Sequence, residues 1–381
     1  MQFLLIRSFK LFFYAYLEAL CFNRKKHTPL SLNRVLFLTF FFPGFIALQI
    51  IHYLGFFLDH LLFKDFKKQS CDKALFIIGI PRSGTTYIHR TLSDALVSTT
   101  FSTWEAIIAP SIFEKKCLRL FSRLDGLIGS PFKNTLNFAI KKIGGDFHNI
   151  HTVSVNDPEE DYLTLLPIGA CFILLFAFPN SQALRKLTSI NNLKEKERSA
   201  IIAFYKENIQ RHLYFHGYDS YFISKNAAFS TWLPEIKKAF PNAKFLLSIR
   251  DPESALSSQL SSLKPARNVF GTDPSGEATQ AIILESMRYS FQSIYSFIQN
   301  TDAKYTVVID QERLRHQPHG TLNKVMELLG LDIQKKLDTT EEPIQIKTVS
   351  KHLQKNTVNK DLIDDSVFEN YKLILNASIR L

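Results

Sequence analysis

The chain is poor in cysteine: Cys21, Cys71, Cys117 and Cys171 are spread through 381 residues, and no two form a C-x-x-C pair. That scarcity excludes a disulfide framework and a thiolate zinc site. No internal repeat or low-complexity tract is present, which removes the solenoid and disordered classes. No metal-ligating constellation appears elsewhere, and no nucleic-acid-binding motif accompanies the scattered basic residues. A short apolar core followed by a small-residue cleavage site is also missing near the start, which argues against a cleavable signal peptide.

What is present is enough apolar content, 46% of the chain, to bury a full core. The composition divides it into an apolar and basic N-terminal extension, residues 1–70, and a catalytic domain, residues 71–381. A net charge of +11 suits anionic ligands or a membrane surface rather than nucleic acid. Val35 to Leu58 carries no formal charge and is long enough to cross a bilayer, yet Pro43-Gly44 splits it and Gln49 and His52 lie inside. Arg24 to Lys26 and Arg34 precede this run and Lys64, Lys67 and Lys68 follow it, so flanking charge sets no orientation. Three readings compete: a spanning anchor, an interfacial or re-entrant hairpin, and an extension packed on the domain or on another subunit. The expectation is membrane association, or a cytoplasmic protein if the segment packs on the domain.

The stretch Ala74 to Leu92, ALFIIGIPRSGTTYIHRTL, reads as buried strand, glycine-bounded loop and helix. Leu75 to Ile78 has strand length, Gly79 ends it, and Thr85 and Thr86 are expected to cap a helix carrying Ile88 and Leu92. Such a junction holds an anion on first-turn amides and the positive end of the helix dipole. Pro81 shapes the loop, Arg82 adds a fork of donors, and Ser83, Thr85 and Thr86 add hydroxyls around Gly84. The Gly79 to Gly84 spacing fits the start of a nucleotide P-loop, but Thr85 stands where its lysine belongs.

Two further strand ends carry cations. Phe245 to Ile249 is apolar enough for a parallel sheet, Arg250 emerges at its carboxyl end, Pro252 suits the first turn of a helix, and Ser258 follows Arg250 by eight residues. Tyr221 to Lys225 is another short strand ending in a cation, followed by Asn226 and a helix expected from about Ser230 to Phe240.

The P-R-S-G-T-T string resembles the 5′-phosphosulfate loop of the sulfotransferases that use PAPS (3′-phosphoadenylyl sulfate), in the bacterial and protein-tyrosine-sulfotransferase-like branch with arginine in the loop. Arg250 and Ser258 resemble that family's 3′-phosphate site, and Lys225 the lysine that reaches the bridging oxygen of the departing phosphosulfate. The resemblance implies a P-loop-NTPase-like three-layer α/β sandwich with a central parallel sheet, PAPS as co-substrate and no metal. It also implies in-line sulfuryl transfer to a hydroxyl or amine acceptor. One branch has a histidine base where this chain has Ala227, so the base lies elsewhere.

Glu105, in Ser102-Thr103-Trp104-Glu105, stands about where relatives carry a glutamate proposed as base, and is the first candidate. His148, His151 and the cluster Pro158-Glu159-Glu160-Asp161 are rivals, His151 through Asp161 resembling an acceptor-side segment and the acidic cluster being read as pocket wall or helix start. The acceptor class stays open among lipid, glycan, protein tyrosine and small alcohol, with a tilt to a lipid or membrane-linked glycan.

The rest of the chain alternates strand and helix. Leu163 to Phe178 is expected as a buried helix, Lys194 to Tyr214 as a solvent-facing helix, Tyr305 to Ile309 as the last strand, and Gly320 to Leu329 as a late helix. Lys351 and His352, in a basic tail, are candidates to close over the nucleotide. The competing reading is a P-loop-like kinase, with Val307 to Asp310 as a Walker-B-like strand.

Overall fold

The computed structural model describes residues 2–20, 27–131, 157–217, 220–339 and 360–377. His148, His151, Lys351, His352 and Cys21 lie outside them. Five parallel strands form one sheet in the order β2-β3-β1-β4-β5: β1 (Ala74–Gly79), β2 (Ser98–Thr99), β3 (Tyr221–Asn226), β4 (Lys244–Ile249) and β5 (Thr306–Asp310). β1 is central and buried throughout, as its unbroken apolar run requires. Side chains alternate across the sheet, so Leu75 and Ile77 face one apolar cluster and Phe76 and Ile78 the other. The first cluster packs against α4 (Thr85–Ala95) and a late helix, Pro318–Leu328; the second packs against the remaining large helices. Helices therefore cover both faces, as expected for a three-layer α/β sandwich.

The N-terminal segment is helical and shares the larger core. α1 (Gln2–Ala19) lies antiparallel to α3 (Phe42–Leu62), joined by a Ser8 to Tyr53 hydroxyl hydrogen bond of 2.9 Å and by Phe12 against Phe45 and Tyr16 against Phe42. α2 (Leu32–Leu36) runs through a π-helical turn, Phe37–Phe41, into α3. Pro43 does not break this helix, because it follows directly on the π-helical turn, whose widened backbone accommodates the ring and the missing N–H.

Two expectations change. Leu163 to Phe178 is not one helix: a 3₁₀ turn, Asp161–Leu165, gives way to turns at Pro167 and to Gly169 at φ +64°, and one helical turn follows at Leu174–Ala177. With α5 (Thr103–Ile107) and α6 (Ile112–Leu127) preceding it, the next long helix, α7 (Glu195–His216), is not solvent-facing. It buries Ile201, Phe204, Tyr205, Ile209 and also Asn208, Arg211 and His212. Its polar residues misled because they are inward-facing and paired.

Arg211 is fully buried between the Phe56 and Phe66 rings, 4.9 and 4.5 Å from their centroids, and its Nε donates to Asp59 at 3.1 Å. The Asp59 carboxylate also accepts from the Ile112 and Phe113 amides at 2.9 Å, closing the first turn of α6. One side chain thus fixes α3, α6 and α7 together. Asp59→Ala is expected to cost about 3–5 kcal/mol by leaving the Nε side of a buried guanidinium, which keeps Glu207 and Asn208, without its acceptor and by uncapping α6, read as a lowered urea midpoint. Adding Arg211→Met should recover part of that loss, and no recovery would mean that the pair is not the cause.

Candidate active site

The β1–α4 loop is held by its neighbours rather than by its own sequence. The Ile80 amide donates to the Ser248 carbonyl at 2.9 Å, Ser248 Oγ to the Ser83 carbonyl at 2.8 Å, and Ser230 Oγ to the Gly79 carbonyl at 2.7 Å. A Cβ on Gly79 would lie 1.9 Å from the Ser248 carbonyl oxygen, so only glycine allows β1 and β4 to approach this closely. Gly84, at φ +92°, is the residue before α4, which corrects the expected threonine cap: Thr85 is buried in the first turn and Thr86 is exposed. The first helical bond runs from the Ile88 amide to the Gly84 carbonyl, so the Thr85, Thr86 and Tyr87 amides precede it and point out of the helix end.

The loop and the β4 end meet. Arg82, at φ +70°, places its Nε 3.1 Å from Ser258 Oγ, while its carbonyl accepts from Arg250 Nη1 at 2.9 Å and from Gln311 Nε2 at 3.1 Å. Ser258 stands on α8, the helix from Pro252 to Phe270, whose N-cap Asp251 accepts from the Ser254 amide. Partial burial, and then the positive charges of Arg82 and Arg315, lower the Arg250 pKa. Three guanidiniums that repel one another in this way form a patch able to hold an anion. Ser83 Oγ and Arg250 Nε are buried without a hydrogen-bond partner among the described residues, which fits an absent set of acceptor oxygens.

Lys225 ends β3 beside this loop, buried, and donates to Glu160 Oε1 at 3.0 Å. The opposite charge of Glu160 also acts on Arg82. Glu160 is positioned from both sides: the Glu159 amide donates to the Phe101 carbonyl at 2.9 Å, and Asp161 is locked by Tyr205, by Ser224 Oγ at 3.1 Å and by Asn226 Nδ2 at 3.2 Å. Burial pushes the Asp161 carboxyl up to about 6 despite these donors. His89, on α4, donates to or accepts from Thr100 at 2.8 Å, and burial, with Lys225 and Arg90 adding charge repulsion, lowers its pKa to about 3.

Glu105 is placed differently. It closes a capping box with Ser102 at the start of α5 and meets Lys115 Nζ at 3.2 Å, His212 Nδ1 at 3.4 Å and His216 Nε2 at 2.8 Å. Burial alone would raise its carboxyl, but Lys115, aided by the two histidines, outweighs this and holds it well below the usual carboxylate range. Gln311, Arg315, His89 and Ser248 escaped the sequence reading because none belongs to a motif. Arg315 had one weak signal, a second arginine just after the last strand. Asp310, the Walker-B-like acid, caps the short helix Gln311–His316 by accepting from the Glu312 amide at 3.2 Å.

Residues 74–335 match the family model described as the sulfotransferase family. Among solved structures, the chain is similar to the sulfotransferase STF1 of Mycobacterium tuberculosis, at 13% identity and a TM-score of 0.59 over 86% of this chain and 84% of that one. It is similar also to the sulfotransferase STF9 of Mycobacterium avium, at 13% identity and 0.59 over 98% and 97%. At such identity these two likenesses show a shared fold. No curated protein matches the chain.

Gly79→Ala is expected to destabilise by about 3 kcal/mol or more through the backbone clash, whereas Gly44→Ala, whose Cβ meets nothing within 4 Å, should be neutral or better. Comparable thermal midpoints for the two variants would contradict the close approach. The depressed His89 pKa gives a pH signature: the unfolded chain takes up this proton first, so the stabilisation is complete above about 6.5 and lost as pH falls toward about 3. The advantage in melting temperature of the native chain over His89→Gln should shrink between pH 7.5 and 4.5; a constant gap would place an ordinary histidine there.

Proposed function

This chain belongs to the sulfotransferase family, and from that premise we propose that it transfers a sulfuryl group from PAPS to a hydroxyl acceptor by in-line displacement. The observation that carries the reading is the contact of Arg82 with Ser258, beside Arg250, Arg315 and Lys225, which makes one anion site with two ends. Gln311 and the Arg250 guanidinium hold the Arg82 backbone, so the loop is set before a ligand arrives.

In this reading the loop amides, Arg82, Ser83, Thr85 and Thr86 bind the 5′-phosphosulfate, with Pro81 and Gly84 shaping the turn, and Arg250 and Ser258 bind the 3′-phosphate. PAPS, when bound, supplies an activated sulfuryl group. An acceptor oxygen forms its bond to sulfur as the bond from sulfur to the bridging phosphate oxygen breaks, and the acceptor proton leaves to a base. Lys225 and Arg82 neutralise the negative charge growing on the departing phosphate. Glu160 is the base in this proposal, since it already contacts Lys225 and stands on the 157–161 segment that forms the acceptor side. Glu105 is assigned a positioning role: ionised and engaged by Lys115, His212 and His216, it has little tendency to take a proton. His151 stays a rival base from the sequence reading, outside the described residues.

The acceptor is proposed as a lipid or a membrane-linked glycan, with residues 71–381 as the catalytic part and 1–70 as the membrane-associating extension. Support for this comes from one helix, Leu32–Leu62, which is long and apolar enough to cross a membrane.

The decisive assay is transfer of labelled sulfate from PAPS into a lipid and glycan extract, with titration of adenosine 3′,5′-bisphosphate by calorimetry. Glu160→Gln should lower kcat roughly 10²- to 10⁴-fold with bisphosphate binding retained, and Glu105→Gln much less. The reverse order would return the base role to Glu105, and magnesium-dependent ATP hydrolysis without sulfate transfer would favour the kinase.

A further inference from the structure

α3 turns a mixed face inward, with Phe42, Tyr53 and Phe56 beside polar side chains, and an apolar row outward. The face it turns to the protein carries Gln49, His52 and Asp59, all buried, with His52 bonded to Glu114 at 2.6 Å and to the Ile107 carbonyl at 3.1 Å. Its outward face carries Ile50, Ile51, Leu54, Phe57, Leu61 and Leu62, each more than half exposed. Positions 50, 54, 57 and 61 repeat at helical spacing and form one stripe. α1, lying beside α3, exposes Ile6, Phe13 and Tyr14. An apolar surface of this extent marks an interaction site.

At the carboxyl end of α3 the surface changes to basic. Phe63, the next residue, lies with its ring centroid 6.3 Å from that of Tyr214, tilted to it, with Lys116 Nζ 4.5 Å above the Phe63 ring, and Arg119 lies 4.1 Å above the Phe215 ring. Lys116, Arg119, Tyr214 and Phe215 line a cavity of about 410 Å³ with Leu120 and Arg123. Among the described residues no carboxylate pairs with Lys116, Arg119 or Arg123. A cationic, aromatic-walled pocket at the edge of an apolar stripe has the composition of a lipid headgroup site: the apolar row meets acyl chains and the cations meet phosphate.

We propose that α1 and α3 lie in the plane of an anionic phospholipid membrane, with a headgroup phosphate held at Lys116, Arg119 and Arg123. This goes further than the membrane association proposed above and rests on it. The 31-residue helix Leu32–Leu62, roughly 46 Å long, has the length to cross a bilayer. Crossing is excluded by what is bolted to its other face. α6 packs along it and α7 is joined to it through Phe204 and Arg211, so crossing would carry Lys115, Glu207 and Arg211 into the hydrocarbon with it. Lying flat, the same helix immerses its outward row and leaves its polar row on the protein.

The test uses the full chain, phosphatidylcholine vesicles with and without phosphatidylglycerol, and sedimentation at low and high salt. Binding should be on the order of 100-fold tighter to the anionic vesicles, and the triple variant Lys116→Gln/Arg119→Gln/Arg123→Gln should erase that difference. Leu54→Glu/Phe57→Glu should abolish binding to both, and unchanged circular dichroism melts would show that the variants fold. Spin labels on Phe41→Cys, Ile50→Cys and Leu61→Cys, in a cysteine-replaced background, should report one shallow depth. A graded depth through the midplane would overturn in-plane docking and leave membrane association standing. No binding to either vesicle would overturn both, as would a stable dimer that covers the stripe and ignores lipid.

Discussion

The bare Cα of Gly79 against the Ser248 carbonyl is the constraint on which the site depends. It brings the end of β1 onto β4 so closely that the next amide, Ile80, can bond across. From there Ser248 and Ser230 hold the loop carbonyls, Arg82 is turned to positive φ, and the two arginine-bearing segments meet. The loop is rigid because the sheet on one side and α8 on the other leave it no alternative path. Such preorganisation is what electrostatic catalysis asks for, since donors fixed beforehand need no reorganisation when charge develops.

α7 supplies the second organising element. Arg211 reaches Asp59 on α3, and the next residue, His212, faces Glu105 on α5. Two buried polar groups on adjacent positions of one helix thus tie α7 to α3 and to α5. Pairs of this kind add little net stability over an apolar replacement, but breaking one is costly. Their effect is geometric: α7 can sit in one rotation and one height only.

The parallel sheet and its anion-binding loops were legible because each is local. An apolar strand, a glycine and a cation at the strand's end lie within ten residues of one another, and β1, β3, β4 and β5 appear within a residue or two of where the pattern puts them. Polar helices were less legible. Asn208, Arg211 and His212 read as a solvent face because sequence shows charge and hides partners, and Asp59 is 152 residues from Arg211. The same blindness made Thr85 look like a cap, when a positive-φ glycine one residue earlier does that work. Glu105 stands about where the family resemblance put a glutamate, yet the lysine and histidines that hold its charge come from α6 and α7.

The Asp59 contact has a consequence for how this chain can be taken apart. Composition changes near residue 70, which invites cutting the apolar part away to obtain a soluble sheet domain. Such a fragment would leave Arg211 without Asp59 and without both rings that enclose it, Phe56 and Phe66, and would leave the first amides of α6 uncapped. It would also open the larger core, to which Leu11, Phe12 and Phe42 contribute. The greasy N-terminus is therefore a wall of the enzyme as well as its outer surface, and the folded molecule has no seam where the sequence changes character.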